Sequence, residues 1–274
     1  MPSYLVTGAG RGLGYAIAKV LASDPSNTVF ALARNKQAAE DRLARDGISN
    51  IIVLAADVTD EAALRAAANE AKNFLGGKGL DVLINNAAYV SDHTALTSLH
   101  DYEKDLSPFF EDTQRSIEVN VHGPLKVIMA FLDLIRQGQL KKVVAISSGM
   151  GDIEMINEMK LSNAAPYAIS KGALNVLIAK LNASYVDDGV LFMSICPGRV
   201  DTIEGDMPEL SQENTNRLQG ILAKFHKNTD GKYAAAAPED AAKSVLAAIA
   251  RQSLADGFGG SFLSHNGTKK WNWP

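Results

Sequence analysis

The chain of 274 residues carries 27 basic against 31 acidic side chains, a net charge of −4, with 46% hydrophobic and 21% charged residues. That balance is ordinary for a soluble globular protein and excludes a disordered chain, and the acidic excess argues against a phosphate-backbone binder, so nucleic acid is not an expected partner. No apolar run nears the roughly 20 residues that span a bilayer, and the opening MPSYLVTGAG enters an apolar strand at once with no room for a secretory signal, so a cytoplasmic protein without a membrane partner is expected.

In chain order, short β-branched apolar runs alternate with Ala/Leu-rich stretches of helical periodicity, the pattern of βαβ units in a parallel sheet. Strands are predicted at YLVTG, TVFALAR, NIIVLAAD, LDVLINNA, KKVVAIS, VLFMSICPG and GSFLS. Helices are predicted at LGYAIAKVLAS, KQAAEDRLARD, DEAALRAAANEAKNFL, QRSIEVNVHGPLKVIMAFLDLIRQG, PYAISKGALNVLIAKLNASYV and PEDAAKSVLAAIARQ. The expected fold is α/β: one doubly wound Rossmann domain over 1–274, whose central parallel sheet of about seven strands has helices on both faces. Three segments break the rhythm, at 91–112, 149–165 and 203–236. Each follows a predicted strand, and connections leaving the C-terminal strand ends of such a sheet surround the ligand crevice, which assigns them to the substrate side.

The turn TGAGRGLG follows the first strand and opens the first helix. Gly8, Gly10, Gly12 and Gly14, with Arg11 and Leu13 between them, permit a tight turn, a close approach of pyrophosphate to the backbone, and helix N–H groups aimed at its charge. Strict G-x-G-x-x-G spacing fails because Leu13 holds the last glycine position counted from Gly8, and P-loop spacing fails because no G-K-[ST] follows. The second strand ends in Arg34, where an acidic residue would take the ribose hydroxyls of NAD and an arginine accommodates the 2′-phosphate of NADP. Arg11 adds a second cation, so NADP is the expected cofactor. In isolation the turn also reads as a plain connector and both arginines as solvated surface groups.

Tyr167 and Lys171, in AAPYAISKGAL, stand at i and i+4 on one helix face. A free tyrosine titrates near pH 10, and an adjacent ammonium favours the phenolate, so the pair suits general acid/base work. Tyr-x-x-x-Lys alone is common, and its neighbours decide its meaning. A strand ending in AISS precedes it and one ending in CPGRVDT follows, with NNAA at 85–88 and Asn120 in IEVNVHG further upstream. In this order the motifs resemble the short-chain dehydrogenase/reductase family, from the first strand through the Pro-Gly turn and more loosely to the C-terminus.

The resemblance implies an NADPH-dependent carbonyl reductase acting on an apolar ketone or aldehyde, or the reverse oxidation. It makes Tyr167 the acid that protonates the carbonyl oxygen, Lys171 the group that lowers its pKa and bonds the nicotinamide ribose, and Ser148, rather than Ser147, the substrate-oxygen ligand. Asn120 would anchor a water linking Lys171 to solvent. Asp57, with Val58 beside it, would meet the adenine; Asn86 and Ala87 would border the cofactor; Pro197, Gly198, Val200 and Thr202 would approach the carboxamide. Homodimers or homotetramers are implied by the family alone. Individually, Asn120 also reads as a helix cap or kink, Asp57 as the cap of the helix after it, and Pro-Gly as a turn. Two departures stand out: Ala88 replaces a glycine, and the interval from Ser148 to Tyr167 is long and rich in Met and Ile, suited either to an apolar pocket or to packing outside it. Non-redox chemistry on the same scaffold and nucleotide sensing without turnover are the competing readings.

Cys196, the single cysteine, forbids an intrachain disulfide and reads as a small core residue. The five histidines lie too far apart in sequence for a local metal-ligand spacing, so no metal is expected. TKKWNWP at the C-terminus offers two tryptophans to a pocket, an interface or the sheet.

Overall fold

In the computed structural model, which describes residues 1–202, 209–229 and 234–268, the predicted strands become β1 (Ser3–Thr7), β2 (Thr28–Ala33), β3 (Ile51–Ala55), β4 (Val82–Asn85), β5 (Lys142–Ile146), β6 (Leu191–Cys196) and β7 (Phe262–Ser264). All pair in parallel, in the order β3-β2-β1-β4-β5-β6-β7. The strands read as nearly continuous apolar runs because helices cover both faces. Val6, Val29, Ala31, Ile84, Val144 and Met193 face α1 (Gly12–Ala22), α2 (Lys36–Arg45) and α9 (Pro238–Arg251). Leu5, Phe30, Leu83, Val143 and Phe192 face α3 (Glu61–Leu75), α5 (Gly123–Gln137) and α7 (Ala165–Tyr185). Period-two alternation along each strand produces the two cores.

Local chemistry sets the helix ends. Asp60 caps α3 by accepting the Ala63 N–H at 3.0 Å, and Gly76 ends it in the left-handed conformation at φ 58°. The long helix predicted over 114–138 is instead three pieces: α4 (Ser107–Ile117), a π-helical turn Glu118–His122, and α5. Pro124 has no N–H for the carbonyl of Asn120, so the ladder widens there, as helices do at functional sites. Two further helices lie inside the segments predicted as irregular: α6 (Ile153–Met159) and α8 (Gln212–Asn228).

Strand order reverses between β1 and β4, which places the glycine turn after β1 and the Asn-Asn-Ala-Ala segment after β4 on either side of one crevice. The C-terminal tryptophans and residues 203–208 and 230–233 of the third substrate-side segment lie outside the described residues.

Candidate active site

The glycine turn is built for close approach. Gly8 takes φ +65°, and a Cβ there would stand 2.8 Å from the Cα of Ala87; at Gly14 a Cβ would stand 2.4 Å from Asn86 Nδ2 and 2.5 Å from the Gly8 carbonyl. Any side chain at either position would fill the space between the turn and the end of β4. Thr7, which sequence reasoning passed over, fastens the two: its hydroxyl accepts the N–H groups of Asn86 and Ala87, each at 3.0 Å, while Asn86 Nδ2 donates to the Thr7 carbonyl at 3.0 Å. Its signal was its place at the head of T-G-x-x-x-G-x-G. Arg11, the N-cap residue of α1, makes no side-chain cap bond, and a helix N-terminus at this place suits an anion such as a pyrophosphate. Across the crevice, Thr202 comes within 3.4 Å of where a Gly12 Cβ would stand. These features fit a dinucleotide.

Around the ribose end, Arg34 is well exposed and its Nη1 lies 4.0 Å from Asp57 Oδ2. Burial pushes the Asp57 carboxyl up, but the Thr59 amide and hydroxyl and the Arg34 cation outweigh it, and the net pKa is lowered. The Thr59 bonds, at 2.9 and 2.8 Å, make Asp57 part of a local turn; the cap of the following helix is Asp60. Val58 is buried against Gly123, the first residue of α5. Ala88 is exposed and is not among the non-glycine residues at positive φ, so the methyl group that departs from the family pattern brings no left-handed strain.

At the far end of the crevice β5, β6 and α7 bring Ser148, Tyr167, Lys171 and Cys196 together. Gly151 lets α7 approach the turn after Ser148, since a Cβ on it would stand 2.6 Å from the Gly172 N. The Ser148 side chain lies close enough to the Tyr167 phenol to pull its pKa down, while Ser147 is buried with its hydroxyl unpartnered.

The surroundings of Tyr167 shift its phenol upward. Burial pushes its phenol up to about 12, against a lowering contribution from Ser148. The Lys171 ammonium lies over the ring, 5.6 Å from the centroid, and donates to the Ile146 carbonyl at 2.8 Å. Lys171 is itself 2% exposed, and burial pulls its pKa down to about 8.

Asn120 is fully buried at the π turn. Its Nδ2 donates to the Tyr89 carbonyl and to the Ser170 hydroxyl, both at 2.9 Å, and its Oδ1 accepts the Tyr89 N–H at 2.7 Å. Ser170 in turn donates to the Tyr167 carbonyl at 2.7 Å. The asparagine thus reaches the tyrosine through Ser170, and none of its side-chain bonds goes to Lys171. Cys196 is core-buried as expected, yet its sulfur, next to Pro197 in the chain, accepts the Gly149 N–H at 3.3 Å. It thereby joins the serine loop to the Pro197-Gly198 turn, a role its sequence context did not announce. Gly198 sits at φ +78° against the His265 ring, and Val200 bridges to Ala236.

The Met-rich insertion packs within the chain: Met155, Met159 and Leu161 bury against Phe225 of α8, with Met150 and Ile221 at the edge. Among the described residues no helix is long and apolar enough to cross a membrane.

Comparison with known proteins agrees with this geometry. A family model described as short chain dehydrogenase matches residues 3–213. The chain is 41% identical over 273 residues to "Short chain dehydrogenase virK" of Hypocrea virens, covering 99% of this chain and all of that one. It is 40% identical over 274 residues to "Short-chain dehydrogenase/reductase AacuF" of Aspergillus aculeatus, with the same coverage. Among solved structures, an NADPH-bound carbonyl reductase from chicken fatty liver superposes with a TM-score of 0.74 at 26% identity, covering 98% of each chain.

Proposed function

The chain belongs to the short chain dehydrogenase family, and from that premise we propose that it reduces an apolar ketone or aldehyde with NADPH in the cytoplasm, or runs the reverse oxidation. The observation that carries the reading is the gathering of Ser148, Tyr167 and Lys171 beside a crevice whose glycine turn admits a dinucleotide. The turn from Gly8 to Gly14, with Leu13 contributing its N–H at the start of α1, would hold the pyrophosphate; Asp57 and Val58 would meet the adenine. Asn86, Ala87, Pro197, Gly198, Val200 and Thr202 would border the nicotinamide half. Arg11 and Arg34 supply exposed cations where a 2′-phosphate would sit, which favours NADP over NAD.

NADPH, when bound, supplies the hydride to the carbonyl carbon. The chain supplies the rest. Ser148 holds the carbonyl oxygen by donating its hydroxyl proton into a hydrogen bond, and Tyr167 transfers its phenolic proton to the same oxygen as negative charge develops there. A phenol that burial pushes up to about 12 is a reluctant donor, so positive charge brought close to it would ease the transfer. Lys171, poised over the ring, is the side chain able to do so by moving from the Ile146 carbonyl toward the ribose and the phenol. Asn120, bonded to Ser170, steadies the helix turn that carries the tyrosine.

Screening ketones and aldehydes by NADPH absorbance, with NADH in parallel, tests the activity. Tyr167→Phe is expected to keep NADPH affinity and lose turnover by about 10³-fold; turnover at the parent rate refutes the assignment of the acid. Arg34→Asp is expected to move preference toward NADH, and unchanged NADPH selectivity refutes the phosphate site.

A further inference from the structure

Ala164 is a non-glycine residue in left-handed backbone, φ 53° and ψ 37°, at the position that starts α7. An L-residue avoids that region unless its surroundings hold it there, and such outliers collect where geometry matters to function. Its methyl group is buried and its side chain offers no cap. Its carbonyl accepts the Ala168 N–H at 2.9 Å, the first bond of the helix ladder, and Tyr167 lies within that first turn. Whatever holds Ala164 therefore sets where the phenol points.

The holder is the segment 91–98. The Thr97 carbonyl accepts the Ala164 N–H at 3.1 Å, Ser98 and Asn163 form an antiparallel bridge, and Asn163 Nδ2 donates to the Ala95 carbonyl at 2.9 Å. The segment is anchored in turn. The Thr94 hydroxyl donates to Asp112 of α4, and the Ser91 hydroxyl accepts the N–H groups of His93 and Thr94, each at 3.2 Å. Thr94 and Asp112 are both buried, so this tie lies out of competition with water. A continuous set of bonds thus runs from α4 through the segment to the residue that begins the catalytic helix.

We infer that Asn163 and Thr94 are positioning residues: together they form a strap that holds Ala164 in its left-handed state and so aims Tyr167 at Ser148. The inference rests on the reading of Tyr167 as the acid. Reacting groups must be held to within a fraction of an ångström, and a small misplacement from a distant change costs turnover rather than binding.

The test is steady-state kinetics with NADPH and the best carbonyl substrate from the screen, alongside NADPH fluorescence titration. Asn163→Ala is expected to lower kcat about tenfold with the NADPH dissociation constant unchanged. Adding Ala164→Gly to it should recover part of the loss, because glycine occupies the left-handed region without an anchor. Thr94→Val should repeat the loss, while Thr94→Ser, which keeps the hydroxyl, retains the parent kcat. An Asn163→Ala enzyme at the parent kcat overturns the strap. So does a loss that Ala164→Gly leaves untouched, or a Thr94→Val enzyme indistinguishable from Thr94→Ser. Tyr167→Phe, run in parallel, separates the two levels: its inactivity beside a fully active Asn163→Ala removes only the strap, whereas its activity removes the reading beneath it.

Discussion

At the scale of the residue, the site is governed by burial acting on two groups in opposite senses. Lys171 is held near pKa 8 and Tyr167 near 12 by the same desolvation, which disfavours ammonium and phenolate alike. The ammonium is the form that can meet a ribose oxygen as a charged donor, so kcat/KM for NADPH, which reports ionisations of the unliganded enzyme, is expected to fall as pH rises through about 8. A pH profile of that constant checks this, and a flat profile from pH 7 to 9.5 would contradict it. Stability moves the other way. The folded-state pKa of Lys171 is depressed, so its neutral form favours folding, and the contribution grows from pH 8 toward the unfolded value of 10.5. Tyr167, raised from 10.0 to about 12, favours folding below pH 10 and loses that contribution as pH climbs to 12.

At the scale of the element, the packing of α7 on the Gly149–Gly151 turn decides whether Ser148 and Tyr167 meet. Gly151→Ala would place a methyl carbon 2.6 Å from the Gly172 N and 2.7 Å from the Lys171 carbonyl carbon, so the helix must shift outward. Turnover is expected to fall by about 10²-fold with NADPH affinity changed far less, as kinetics and titration would show; an undiminished kcat would mean that the shift is absorbed elsewhere. The elements that sequence made plain are those with strong periodicity: the seven strands, α3, although its cap is Asp60 and not Asp57, and α7 with Pro166 in its first turn. What stayed hidden did so for physical reasons. Gln212–Asn228 offers a thin apolar stripe, and only Ser211, accepting the Asn214 N–H at 3.2 Å, marked its start. The π turn gave one clue, Pro124, and the hydroxyl of Thr7 gave none beyond its motif. The motifs singled out Ser148, Tyr167 and Lys171, but the bond from Lys171 to the Ile146 carbonyl is a matter of tertiary packing that i to i+4 spacing does not determine.

At the scale of the whole molecule, one buried carboxylate binds segments distant in sequence. Asp81 accepts the Ser3 N–H at 2.8 Å through Oδ2 and the N–H groups of Gln139 and Leu140 at 2.7 and 3.1 Å through Oδ1, tying the start of β1 to the connection into β5. Asp81→Asn places an amide donor against one of these N–H sets, and urea unfolding is expected to show a loss of about 2–3 kcal/mol with the KM for NADPH unaltered; an unchanged midpoint would show that the ties are dispensable. The strand order has a further outcome. The first strand lies in the interior of the sheet, held on one side by β2 and on the other by β4, so the halves that carry the glycine turn and the Ser148–Tyr167 end of the crevice meet along a line whose partners are far apart in the chain. Closing that line costs the most loop entropy and comes late in assembly. Once closed, its amides open only with the whole molecule, and they should be among the last to exchange their hydrogens with deuterated solvent.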